Sequence, residues 1–151
     1  MRYIWSKLNK QQVGTFSEYF VKMELTMHGF QVYTTEVDDR GIDFVARYNE
    51  GPFFTFQVKS VRGFNYVFMQ KDKFSPSKEL YLALAILSES EEPNLYLIPS
   101  TAWLEPNDLF KDKNYEGKKS RPEWGLNISE KNMPLLNEYQ FSQVVEALIN
   151  K

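Results

Sequence analysis

Apolar positions recur at helical spacing near both ends of the chain and at strand spacing between them. Phe16, Phe20, Met23 and Met27 predict the buried stripe of a first helix over 13–29. Thr15 followed by Glu18 fits a capping box, and Gly29 is a natural helix stop. Towards the other end, Phe141, Val144, Val145, Leu148 and Ile149 fit one apolar face of a closing helix.

The stretch between reads mainly as strands. Residues 31–35, 42–48 and 53–60 predict a three-stranded meander, with turns at Asp38-Asp39-Arg40-Gly41 and Asn49-Glu50-Gly51-Pro52. Residues 65–69 are expected to extend that sheet. The almost wholly apolar run 81–87 is expected as a strand covered on both faces. Another strand follows at 95–98, ended by Pro99, and Ser100 opens a short helical turn through Leu104. The polar, lysine-rich segment 106–125 reads as a long surface loop. No repeat or linker interrupts the chain, so one α/β domain over 1–151 is expected, with a central mixed β-sheet.

Composition narrows the chemistry. With 42% hydrophobic and 16% aromatic residues, 151 residues suffice for a core without staples. The absence of cysteine excludes disulfides, thiol catalysis and thiolate-bound zinc. The single histidine, His28, excludes a multi-histidine zinc site and argues against a Ser-His hydrolase; it reads as a helix C-terminal residue. Trp103 and Trp124 read as core. Hydrolytic chemistry would therefore fall to carboxylates and lysine. No N-terminal run resembles a signal peptide and no stretch reaches membrane length, so a soluble cytoplasmic protein, not membrane-bound, is expected.

The formal net charge of −2 gives no whole-molecule attraction to nucleic acid, so a nucleic-acid reader would need a local basic face. Lys111, Lys113, Lys118, Lys119 and Arg121 are one candidate. Asp112 and Glu116 interrupt them, so a solvated loop of mixed charge explains them as well.

Strand parity supplies the central argument. Side chains two apart on a strand share a face. Phe56 and Val58 therefore go to the core, and Gln57 and Lys59 emerge together on the other side. Antiparallel pairing brings the start of the second strand, with Asp43, to the end of the third. An aspartate, a carboxamide and a lysine then share one edge. Metal-assisted phosphodiester hydrolysis uses such a set. Mg²⁺ takes oxygen ligands, here Asp43, Gln57 and the backbone carbonyl of Val58. Lys59 would orient a water or stabilise charge on the phosphate.

At this point the residues resemble a known family. Asp43 followed by Gln57-Val58-Lys59 looks like the PD-(D/E)XK nuclease superfamily, with glutamine at the usual acidic position of its second motif. Asp39-Arg40-Gly41-Ile42-Asp43 with Gln57-Val58-Lys59 is closer to the Mrr-type restriction endonucleases, and similar to small bacterial proteins with a G-I-D … Q-V-K-S signature. The resemblance covers roughly the first half of the chain. It implies a restriction-endonuclease-like α/β core, ordered helix, three-strand meander, helix and further strands. It implies Mg²⁺ or Mn²⁺ as cofactor, DNA as substrate in defence or repair, and a glutamate from the first helix near the metal, where Glu18 stands. A dimer is expected for cutting a duplex, since two strands need two centres.

Each residue has a plainer reading beside the catalytic one. Asp43 can cap a strand or pair with a cation, Gln57 and Lys59 can be solvated strand residues, and Asp39 can be a turn residue. Thr15 accounts for Glu18 through the capping box. A module that keeps the nuclease fold and binds nucleic acid or protein without cutting therefore stands as the alternative.

Overall fold

Asn9 starts the first helix. Its side-chain oxygen accepts from the Gln12 N–H at 2.8 Å, and the Gln12 side chain accepts from the Asn9 N–H at 2.9 Å, a reciprocal capping box. In the computed structural model, which describes residues 2–36 and 41–150, helix α1 spans Lys10–Met27. The box expected at Thr15 and Glu18 does not form, because both residues lie inside the helix, past the N–H groups that need a cap. The buried stripe is Val13, Ser17, Val21 and Leu25. Phe16 and Phe20 border it, whereas Met23 and Met27 are 56% and 80% exposed. The predicted stripe holds one face of the helix, but that face is turned to the side of the one that packs on the sheet. Gly29, at φ 94°, ends the helix as expected.

Strands β1 (Phe30–Thr34), β2 (Phe44–Tyr48) and β3 (Phe54–Arg62) form the predicted antiparallel meander. Strand β5 (Leu80–Leu87) pairs parallel with β3 from Thr55↔Leu80 to Arg62↔Leu87, and β6 (Asn94–Pro99) pairs antiparallel with β5. The sheet order is β1-β2-β3-β5-β6. All eight residues of β5 are buried, as its unbroken apolar run predicts.

Three expectations fail. Strand β4 (Tyr66–Gln70) does not extend the main sheet. It pairs with β8 (Glu123–Asn127), which pairs with β7 (Phe110–Lys113), in a second sheet of order β4-β8-β7. The segment read as a loop thus carries a strand and the start of another. Strand β7 reads Phe-Lys-Asp-Lys, and charges on an edge strand erase the apolar alternation that would reveal it. The crossover from β3 to β5 holds β4 and a 3-10 turn, Lys71–Lys73, where the family resemblance implies a helix.

The main sheet is covered on both sides. Val21 and Leu25 of α1 and Val145 and Leu148 of the closing helix α2 (Phe141–Ile149) pack with Phe44, Phe56 and Ala83. On the opposite face Leu82, Leu84 and Ile98 pack with Trp103 and Leu126. Trp103 is fully buried and donates to the Gly125 carbonyl at 2.7 Å. Ser100 opens its 3-10 turn (Ser100–Leu104), but its hydroxyl accepts from the Ser77 N–H at 2.9 Å and caps no helix.

Candidate active site

The β2–β3 ladder reaches Phe44↔Phe56. Just beyond it the Asp43 N–H donates to the Phe56 carbonyl at 2.8 Å, and the Asp43 carboxylate accepts from the Val58 N–H at 2.7 Å. An aspartate side chain thus takes a donor that a strand partner would ordinarily take. This bond gives Asp43 a structural duty beside any catalytic one. It also fixes the carboxylate against the middle of β3.

On β3 the alternation runs as parity requires. Phe56 is fully buried on the helix side, and Val58 packs there too. Gln57 and Lys59 point to the opposite side, in register with Leu82 and Leu84. Lys59 is close enough to Asp43 and Lys10 to feel both charges. Burial pushes its ammonium below the ordinary lysine range, Asp43 opposes that shift, and Lys10 adds to it. Gln57 Oε1 is buried with no hydrogen-bond partner. Such an orphaned acceptor costs roughly 1–3 kcal/mol, unless a bound group meets it.

Gly41 has a backbone reason to be glycine. Its φ is +78°, and a Cβ there would strike the Lys73 carbonyl. The Gly-Ile-Asp run therefore lets the chain press against the Lys71–Lys73 turn immediately before Asp43. Asp39, with Asp38 and Arg40 of the expected turn, lies outside the described residues.

The remaining candidates are placed elsewhere. The Glu18 carboxylate pairs with Lys22 Nζ at 3.1 Å, and Lys22 Nζ lies 5.5 Å from the centre of the Phe44 ring. Both stand on the helix side of the sheet, while Gln57 and Lys59 face the other way. Lys111 and Lys113 are on β7, and Lys113 Nζ sits 4.3 Å above the Tyr66 ring. Lys118 and Lys119 are exposed, and Arg121 pairs with Asp72 at 3.6 Å. These five cations belong to the second sheet and its connection, and of them Arg121 reaches the Lys71–Lys73 turn that lies against Gly41. His28 caps the end of α1, its Nδ1 2.8 Å from the Glu24 carbonyl oxygen. Lys10 was missed from sequence; recognising Asn9 as the helix cap would have placed it at the first turn.

Among the described residues, no three acidic or imidazole side chains gather as a metal cluster. The donors that fit a hard cation are the Asp43 carboxylate and the orphaned Gln57 oxygen. The Val58 carbonyl joins them, because a strand residue's N–H and C=O address the same neighbour, and the Val58 N–H addresses Asp43. Oxygen donors of this kind suit Mg²⁺ or Mn²⁺.

No protein-family model matches the chain, and no curated protein matches it. Among solved structures, the Holliday junction resolvase Hjc of the archaeal hyperthermophile Archaeoglobus fulgidus shares the fold. Its TM-score is 0.56 at 14% identity, over 88% of this chain and 95% of that one. The architecture is thus the restriction-endonuclease-like α/β fold, with a central mixed sheet between helices and a second layer. Among the described residues no helix is long and apolar enough to cross a membrane.

Proposed function

We propose that this chain is a Mg²⁺- or Mn²⁺-dependent endodeoxyribonuclease whose centre is Asp43, Gln57, the Val58 carbonyl and Lys59. The observation that carries the reading is the buried, unpartnered Gln57 oxygen on the strand where Asp43 is anchored and beside Lys59. A bound divalent cation would polarise the scissile phosphate and lower the pKa of an attacking water. Asp43 and Gln57 would hold the cation with one anionic and one neutral oxygen. Lys59, partly desolvated, donates to a phosphate oxygen as the ammonium or takes a proton from water as the amine. Glu18 can contribute only by leaving Lys22 and reaching round the sheet edge. The resolvase that shares the fold acts on Holliday junctions, so four-way junctions join linear duplexes as substrates to try. Defence or repair is the setting the reading fits, and a dimer would supply two centres for two strands.

The test is cleavage of both substrates with Mg²⁺ or Mn²⁺ by wild type, Asp43→Asn and Lys59→Ala. Loss of cleavage in both variants is expected; unchanged activity in both overturns the assignment. A second reading, a nuclease-fold module that binds without cutting, is favoured by Gln57 at a position where an acid would hold metal more tightly and by the Glu18–Lys22 pair. Nucleic-acid binding with no cleavage, and no Mg²⁺ uptake by calorimetry, would select it.

A further inference from the structure

The outer face of the second sheet carries an arrangement that the cleavage reading does not use. On β4, Val67 and Met69 go inward, while Tyr66 and Phe68 point out, 36% and 47% exposed. Their rings lie in near-parallel planes, 20° apart, with centres 6.4 Å from each other. Phe64, in the turn before β4, adds a third ring at 53% exposure. Across the sheet, Phe68 is in register with Gly125, and Gly125 with Lys111. Gln70, Glu123 and Lys113 form the next row. Tyr66 leans across Gly125 towards β7, where Lys113 Nζ lies 4.3 Å from its ring centre, so exposed rings on β4 and lysines on β7 share one face of the sheet.

The middle of the face is filled by the Tyr66 ring. Gly125 presents no side chain, and a Cβ there would collide with the Tyr66 ring that lies over it. The carboxylate on this face, Glu123, is 8% exposed and accepts from the Tyr66 hydroxyl at 2.6 Å. It stands in register with Lys113, which leaves Lys111 as the cation of this face with no carboxylate opposite it. Residues 110–121 hold five cations against two carboxylates, in a chain whose net charge is −2. A second copy packed on this face would bury those lysines with no free carboxylate opposite. A polyanion with apolar faces suits it better.

We infer that this face binds an unpaired strand of nucleic acid, its bases laid on Phe64 and Phe68 beside the Tyr66–Lys113 pair and its phosphates drawn to Lys111 and Lys113. Bases in a duplex stack on each other and have no free face to offer, so the platform selects single-stranded over double-stranded segments. The inference stands independently of cleavage, because none of these side chains belongs to the proposed centre.

The experiment is fluorescence anisotropy with EDTA present, using a labelled oligo-dT and a labelled duplex of equal length. The oligo-dT is expected to bind more tightly than the duplex. Phe68→Ala is expected to weaken oligo-dT binding about tenfold, the loss of one stacked base, with the melting temperature preserved. Phe68→Trp should restore it. The double variant Lys111→Gln with Lys113→Gln should reduce the salt slope by roughly 0.7 per lysine. Equal binding of duplex and single strand, or oligo-dT affinity unchanged in Phe68→Ala, overturns the inference. So does a sedimenting dimer that Phe68→Ala converts to monomer, which would show a second copy covering the face.

Discussion

The Asp43 carboxylate accepts the Val58 N–H at 2.7 Å, and so the acidic residue of the candidate centre is also a pin between β2 and β3. The two duties separate by substitution. Asp43→Asn keeps a side-chain acceptor for Val58 but removes the charge, and is expected to melt near wild type while cleavage falls at least a hundredfold. Asp43→Ala leaves the half-buried Val58 N–H unmet and is expected to lose about 1–3 kcal/mol of stability as well. Urea denaturation alongside a cleavage assay checks both. Equal stability in the two variants would remove the pin.

Gln57 carries the opposite signature. Its buried oxygen has no partner, so Gln57→Leu, of similar volume, should leave stability unchanged or raise it by up to about 1 kcal/mol. Cleavage should be lost. Gln57→Glu places a second carboxylate beside Asp43 and should tighten Mg²⁺ binding in calorimetry. A large stability loss in Gln57→Leu would mean that the amide already serves the fold.

Lys59 makes a pH prediction. Burial is the main force lowering its value from 10.5, with Asp43 opposing and Lys10 assisting. Between the lowered value and 10.5 the folded chain sheds a proton that the unfolded chain keeps, so this lysine's penalty fades and stability rises with pH. Relative to Lys59→Met, wild type should gain stability as pH climbs through that window. Direct titration of the lysine by NMR should show Asp43→Asn lowering its value further and Lys10→Met raising it. A Lys59 that titrates alike in all three would place Asp43 and Lys10 too far away to matter.

Gly41 tests the turn before the centre. With φ at +78° and the Lys73 carbonyl in the path of a Cβ, Gly41→Ala should cost about 2 kcal/mol or more. Chemical denaturation measures it. A loss below half that amount would show the Lys71–Lys73 turn yielding easily.

How far the sequence revealed all this depends on what kind of signal each part leaves. The meander and the buried strand β5 were legible, because period-two alternation and an unbroken apolar run are direct consequences of which faces are covered. The proximity of Asp43 to β3 was legible from hairpin connectivity and parity alone. The start of α1 was not, since Asn9 with Gln12 competes with Thr15 with Glu18 for the same motif, and only packing of Val13 and Ser17 chooses between them. The second sheet stayed hidden because β7 is charged and its partner β8 lies beyond an irregular connection. Glu18 shows the limit of spacing arguments: it sits on the expected helix, but which side of the sheet that helix covers is set by tertiary packing.

The crossover between β3 and β5 has a further consequence for how the chain assembles. A helix in that position could close its own hydrogen bonds as soon as it was made. Strand β4 cannot; Tyr66 finds its register partner at Asn127, most of the remaining chain away. The parallel pair β3–β5, and the edge carrying Gln57 and Lys59, can therefore form while β4 still lacks its mate, and the outer layer closes only when the last third of the sequence arrives. Loop closure over that distance carries a larger entropic cost than pairing neighbours in sequence. Chains released before residue 127 would keep the makings of the candidate centre while leaving an unpaired, aromatic strand in solvent, the kind of edge that seeks partners in other molecules.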